Sequence, residues 1–208
     1  MLFCEPTPNG VGLTIWGCMH DMDALAEAIN NLIENASYIE SATKDFLEDN
    51  LWASVRRAAR GDELAKQIGG QLLVGFKSYW IVFLVQVVTL RDLAKITPTG
   101  RIEQAHLFLL EHIAEKGLMD LNPTEGKRCL EWMFSNSDAS IPVKEAHIEY
   151  LWYVTGNYMT KKKGKTRIKE LYDCLMNLAY WTDEYTQFEQ TVDDSGVVVA
   201  RKMPNVIW

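Results

Sequence analysis

From Tyr79 to Leu90 the chain runs with only Gln86 and Thr89 as polar interruptions. A helix that is apolar on every side has no face to give to water, so the rest of the chain must surround it. The stretch is too short for a bilayer crossing, which needs about 20 predominantly apolar residues. Extending it upstream brings in Ser78, Lys77 and Gly75, and Arg91 and Asp92 close it downstream. Ile81, Val82, Val85, Val87 and Val88 would also suit a strand, but the length favours a helix over Tyr79–Ala94. Enclosing it requires a sizeable chain. With 208 residues, 48% hydrophobic and 24% charged, this one has the material and is expected to form a single domain over residues 1–208. The same balance excludes a disordered tail, a collagen-like repeat and a disulfide-framed miniprotein.

Around that core the local signals are mixed. Leu2–Glu5 and Val11–Trp16 flank Pro6-Thr7-Pro8-Asn9-Gly10, an Asn-Gly turn between two short strands. Asp21 then suits the N-cap of a helix from about Met22 to Glu34, striped by Leu25, Ile29, Leu32 and Ile33. A second helix is expected from about Lys44 to Arg60, stopped by Gly61. Gly69-Gly70 breaks the pattern, and Gln71–Phe76 reads equally as a strand or an entry turn. After the central helix, one from about Arg101 to Lys116 should bury Ile102, Ala105, Leu109, Leu110 and Ile113 and end at Gly117. Asn122-Pro123-Thr124-Glu125 carries a cap, a proline at the first helical position and an acid at the third, and should open a short helix ending near Phe134. Helices from about Val143 to Tyr158 and from Thr166 to Trp181 follow. Tyr185–Val192 and Val197–Met203, joined by Asp193-Asp194-Ser195-Gly196, read as a second hairpin. The expected fold class is α+β, mainly α: about six helices with a small antiparallel sheet built from the N-terminal and C-terminal hairpins.

Cys4, Cys18, Cys129 and Cys174 make no C-x-x-C pair and have no histidine at zinc-finger spacing. Cys4 and Cys18 could face each other across the hairpin, but reduced thiols are the preferred reading. The Met-Leu-Phe-Cys-Glu-Pro start has neither a basic n-region nor a long apolar h-region, so a cytoplasmic location and no membrane association are expected.

Three residue groups invite chemistry. Lys161-Lys162-Lys163-Gly164-Lys165-Thr166-Arg167 ends like a phosphate-binding P-loop, but the first glycine of G-x-x-x-x-G-K-[ST] is replaced by Met159. By charge alone, Lys161, Lys162, Lys163, Lys165 and Arg167 could still hold a phosphate or a nucleic-acid backbone. Glu103 and His106 form a Glu-x-x-His, half of a helical di-metal motif; the second half is missing because Lys144 precedes His147 by three. A mononuclear site on Glu103, His106 and His147 is the alternative that would make the chain a metal-dependent helical enzyme. No nucleophile elbow occurs, no catalytic residue is assigned and no cofactor is implied.

The third group is acidic and aromatic. Between Thr182 and Ser195 lie Asp183, Glu184, Glu189, Asp193 and Asp194 without a base, interleaved with Tyr185 and Phe188 and preceded by Trp181. Aromatic anchors among like charges suit the docking of a basic protein. The whole chain carries 28 acids against 21 bases; excluding the six bases of Lys161–Lys169 leaves 15 against 28, a balance of −13. Such a field disfavours general nucleic-acid binding and favours a basic partner.

The run Pro6-Thr7-Pro8-Asn9-Gly10-Val11 through Trp16-Gly17, with Asp21 and the helix to Ile33, resembles the start of an uncharacterised bacterial domain family. The likeness covers about the first 35 residues and implies a hairpin followed by a capped helix. In composition the chain is also similar to cytoplasmic immunity proteins of bacterial toxin systems, commonly small, acidic and without catalytic signatures. Together these readings lead to the expectation of a non-enzymatic protein that recognises a basic partner surface, as a toxin-neutralising immunity protein would.

Overall fold

Asn9-Gly10 turns the chain as its sequence requires. In the computed structural model, which describes residues 1–37, 39–135, 144–161, 164–180, 182–195 and 208 without the side chains at 161, 165 and 193–195, β1 (Phe3–Pro6) pairs antiparallel with β2 (Gly12–Gly17). Thr7 braces the turn: its hydroxyl oxygen accepts from the amides of Val11 and Gly12 at 3.1 and 3.0 Å. Leu13 and Ile15 point into the core, where neither retains exposure.

α1 (Met19–Asn35) starts earlier than expected. Cys18, not Asp21, is the N-cap; its sulfur accepts from the Asp21 amide at 3.4 Å, while the Asp21 carboxylate reaches back to the Cys18 amide at 3.0 Å. Asp21 therefore acts from the third helical position, as the acid of a capping box. The next helical stretch is continuous but not uniform. α2 (Ser41–Phe46) passes through one π-helical turn (Leu47–Trp52) into α3 (Ala53–Ala59), and Gly61 follows with a φ of 76°.

Gln71–Phe76 resolves as part of a strand. β3 (Leu64–Ile68) and β4 (Gln71–Tyr79) form a second hairpin, turned by Gly69 and Gly70 at φ 56° and 83°. β4 also pairs antiparallel with β2, giving one four-stranded sheet in the order β1-β2-β4-β3. β3 carries no clear strand signal because it is an edge, largely exposed, and needs no buried face.

β4 leads directly into α4 (Trp80–Ile96), the helix anticipated from the apolar stretch. Its residues from Trp80 to Leu90 are all buried, and it meets α1, α5, α6, α7, α8, β2 and β4. Thr89 is satisfied inside the helix, donating its hydroxyl to the Val85 carbonyl at 2.7 Å. α5 (Arg101–Leu121) does not stop at Gly117. That position faces the core, and a Cβ there would come within 2.7 Å of the Trp80 ring and 3.2 Å of the Cys4 sulfur. Glycine is present for room. Gly117→Ala is expected to cost about 1–3 kcal/mol through overpacking, read as a lower denaturation midpoint at unchanged m. The buried stripe of α5 is also rotated from the expected one: Leu107, Leu110, Ile113, Ala114 and Leu118 face inward, while Ile102 is 68% exposed.

α6 (Pro123–Ser135) opens as anticipated, with the Asn122 side-chain oxygen accepting from the amides of Thr124 and Glu125. α7 (Glu145–Lys161) is followed by a 3-10 turn (Gly164–Arg167) and α8 (Ile168–Met176), which ends before Trp181. The expected C-terminal hairpin is corrected in its first arm: Asp183–Ser195 is α9, a helix. Thr182 accepts from the Tyr185 amide at its start, and the Tyr185–Phe188 spacing places both rings on one helical face against α7. The second arm, Val197–Met203, lies outside the described residues. The mainly helical α+β class holds; among the described residues the sheet draws its second pair of strands from residues 64–79.

Candidate functional site

The two helices flanking the 3-10 turn and the helix beyond them enclose the largest aromatic assembly among the described residues. Tyr150 and Tyr153 on α7 meet Phe188 on α9, with ring centroids 5.2 and 5.3 Å from the phenylalanine. Behind them His147 stacks on Tyr180 at 3.6 Å and 10°, and Tyr185 stands edge-on to His147, Tyr150 and Tyr180. Tyr150 donates its hydroxyl to the Asn177 carbonyl at 2.9 Å, which ties α7 to the end of α8. Burial pushes the Tyr150 phenol up to about 12 and the His147 imidazole down to about 4, the latter with help from the nearby Lys144 ammonium. Both side chains are therefore neutral at pH 7.

Beside this assembly a cleft of about 350 Å³ opens between α7, α8 and α9. Tyr150, Tyr153 and Phe188 form its aromatic part, Asn157, Asn177 and Gln187 its polar part, and Glu184 is the one charged residue in its described lining. A neutral aromatic wall beside a single carboxylate attracts a cation, because ring faces carry negative potential and the carboxylate adds a full charge.

The acidic–aromatic group anticipated from the sequence is divided by this arrangement. Asp183 and Glu184 are exposed in the first turn of α9, where the helix dipole favours them. Tyr185 is only 5% exposed and donates to Glu189 at 3.0 Å, so it is part of the core and no surface anchor. Phe188 is half-buried at the cleft. Asp193 and Asp194 fall in the last turn of α9, the negative end of its dipole, with no base in that turn. Trp181 lies outside the described residues.

Of the basic group only the Arg167 side chain is described, and the three metal candidates each have other contacts. Arg167 is 4% exposed and donates to the carbonyls of Asn9 and Met159, both at 3.1 Å. With Tyr158, whose hydroxyl donates to the Gly10 carbonyl at 2.6 Å, it clasps the first turn to the end of α7. An arginine spent on two backbone carbonyls is withdrawn from a phosphate site. Lys162 and Lys163, and the side chains of Lys161 and Lys165, are outside the described residues. Glu103 accepts from Asn31 at 3.1 Å, and His106 pairs through Nδ1 with the Ile102 carbonyl at 2.9 Å, whereas His147 is packed among tyrosines. Among the described residues no group of three or more His, Cys, Asp or Glu side chains is placed to hold a metal ion.

Residues that the sequence reading missed are Tyr150, Tyr153, Asn157 and Asn177. Their one visible signal was the spacing of Tyr150, Tyr153 and Asn157 along a single face of α7. The fold and this cleft can be set against known proteins. Residues 2–203 match the family profile of a domain of unknown function, DUF6904. The chain belongs to the DUF6904 family. The match spans nearly the whole chain, so the family extends well beyond the hairpin and first helix. No curated protein and no solved structure matches the chain. No helix among the described residues of this DUF6904 member is long and apolar enough to cross a membrane.

Proposed function

We propose that this DUF6904 protein is a non-enzymatic, cytoplasmic protein-binding module that recognises a basic partner surface, as a bacterial toxin-neutralising immunity protein does. The observation that carries the reading is the cleft in which Tyr150, Tyr153 and Phe188 stand beside the lone carboxylate of Glu184. A lysine or arginine side chain of the partner would enter it, its charge against Glu184 and its stem or guanidinium plane against the rings. The balance of −13 outside Lys161–Lys169 would steer such a partner from a distance. Cys4, Cys18 and Cys129 form no disulfide among the described residues, which suits a reducing compartment.

The test is a titration with a short arginine-rich peptide and its glutamine-substituted counterpart, followed by calorimetry. The arginine peptide is expected to bind with an affinity that falls as salt rises, and the glutamine peptide to show none. Glu184→Gln should weaken the arginine peptide about tenfold, which corresponds to about 1.4 kcal/mol. Equal binding of both peptides, or an unchanged affinity in E184Q, rejects the reading. For the immunity role, the product of a neighbouring toxin-like reading frame should lose its toxicity when co-expressed with the wild type and regain it with Glu184→Lys.

A further inference from the structure

Gln86 is the polar exception in the buried central helix, and the structure leaves its amide nitrogen unpaired. The residue is 1% exposed, yet Nε2 has no hydrogen-bond partner among the described residues. Thr89, the other exception, is satisfied within its own helix. An unpaired buried amide is destabilising, so its place at the heart of the fold calls for an explanation.

Gln86 does not face solid core. It lines a second cleft of about 180 Å³, with Val82 one turn earlier on the same face of α4. The π-helical turn of residues 47–52 supplies one wall through Asn50, and Tyr79 and Trp152 meet edge to face at 6.4 Å on another. Such a turn widens a helix locally, and π-turns of this kind recur at functional sites. Asn50 holds it in place by donating to the Phe46 carbonyl at 2.9 Å.

The mouth carries Lys77, Arg57 and Asp49. Arg57 is engaged by Glu63 at 2.7 Å and by Ser54 at 3.1 Å. Lys77 has no carboxylate partner among the described residues; its ammonium lies 5.2 Å from the Trp208 ring centroid. The cleft is therefore lined by Gln86, whose buried Nε2 has no partner among the described residues, by Lys77, which has no carboxylate partner among them, and by an aromatic wall of Tyr79 and Trp152. We propose that it is a binding site for a small organic carboxylate, one oxygen accepting from Gln86 Nε2 and the charge facing Lys77. The volume equals the share of about six water molecules in the liquid, which sets the ligand at a few carbon atoms plus the carboxylate. The aromatic wall receives the alkyl part. This site lies on the face of α7 that presents Trp152, opposite the tyrosines of the α7–α9 cleft, and stands independently of the partner reading.

Propionate is the probe, with propylamine as the control of equal chain length and opposite charge. In a ¹⁵N-resolved NMR titration of the full chain, propionate is expected to shift the Gln86 side-chain amide and to raise Tm, and propylamine to do neither. Gln86→Leu fills similar volume and deletes the unpaired amide, so the apo protein should keep or raise its Tm while the propionate response disappears. Lys77→Gln, at an exposed position, should weaken propionate about fivefold. A Gln86 signal unmoved by propionate, a response that survives in Q86L, or an equal response to propylamine each overturns the site.

Discussion

Gly12→Ala is expected to abolish the fold or to lower its stability by about 4 kcal/mol or more. A Cβ at position 12 would lie 1.9 Å from the Ser78 carbonyl oxygen and 2.9 Å from its carbonyl carbon. The obstacle is backbone, so no rotamer change relieves it. Gly12 pairs with Tyr79 at the end of the β2–β4 ladder, just where β4 hands over to α4. Moving the strands apart would displace Trp80, whose amide donates to the Val11 carbonyl at 3.2 Å and whose side chain is fully buried. The measurement is urea denaturation followed by tryptophan fluorescence. Gly156→Ala is the matched control: among the described residues nothing beyond its own stretch of helix lies within 4 Å of its added Cβ, and within α7 alanine should stabilise by about 0.5–1 kcal/mol. If G12A unfolds at the wild-type midpoint, the close approach of the two strands is wrong.

Acid should attack the molecule through His147. Its imidazole is 6% exposed and held down to about 4 in the fold, against an ordinary value of 6.5; burial is the main cause, Lys144 adds to it and the Glu189 carboxylate opposes it. A depressed histidine means that the unfolded chain binds the extra proton, so stability rises with pH across that window. The contribution is fully present above pH 6.5 and is lost progressively as pH falls from 6.5 through 4. That interval corresponds to about 3 kcal/mol. His147→Phe keeps a ring against Tyr180 and Tyr185 and removes the titrating group. Between pH 7 and pH 4 the wild type should therefore lose about 3 kcal/mol more than H147F in paired denaturation curves. Parallel curves would show that the imidazole is protonated in the fold without penalty.

Much of the frame could be read from local pattern because local physics decides it. The central helix was legible since a segment without a polar face must be enclosed, and α4 is enclosed by five helices and two strands. The first hairpin and the start of α6 were legible because Asn9-Gly10 and Asn122-Pro123 act within a few residues of themselves. β3 was missed because an exposed edge strand needs no apolar alternation. The first arm of the C-terminal hairpin was misread because Tyr185 and Phe188 sit among polar residues that fit either period; the docking of both rings on α7 decides for the helix. The spacing predicts a helix stop at Gly117, an ordinary role for glycine, whereas the Trp80 ring is what requires it.

The candidate sites divide along the same line. Charge counting finds Arg167 and Glu184 equally well, but only packing sends the first to two buried carbonyls and leaves the second at the mouth of a cleft. Tyr150 and Phe188 come from two helices and Asn177 from the residue that caps a third, and no spacing along the chain could have grouped them. Sequence alone determined that this DUF6904 chain encloses an apolar helix, opens with a hairpin and carries excess negative charge, because burial, turn geometry and net charge follow from residue identity and near neighbours. Tertiary structure decided which polar groups are spent on the fold and which remain for a partner or ligand, because a hydrogen-bond partner or a ring supplied from a distant segment is set by how the elements pack.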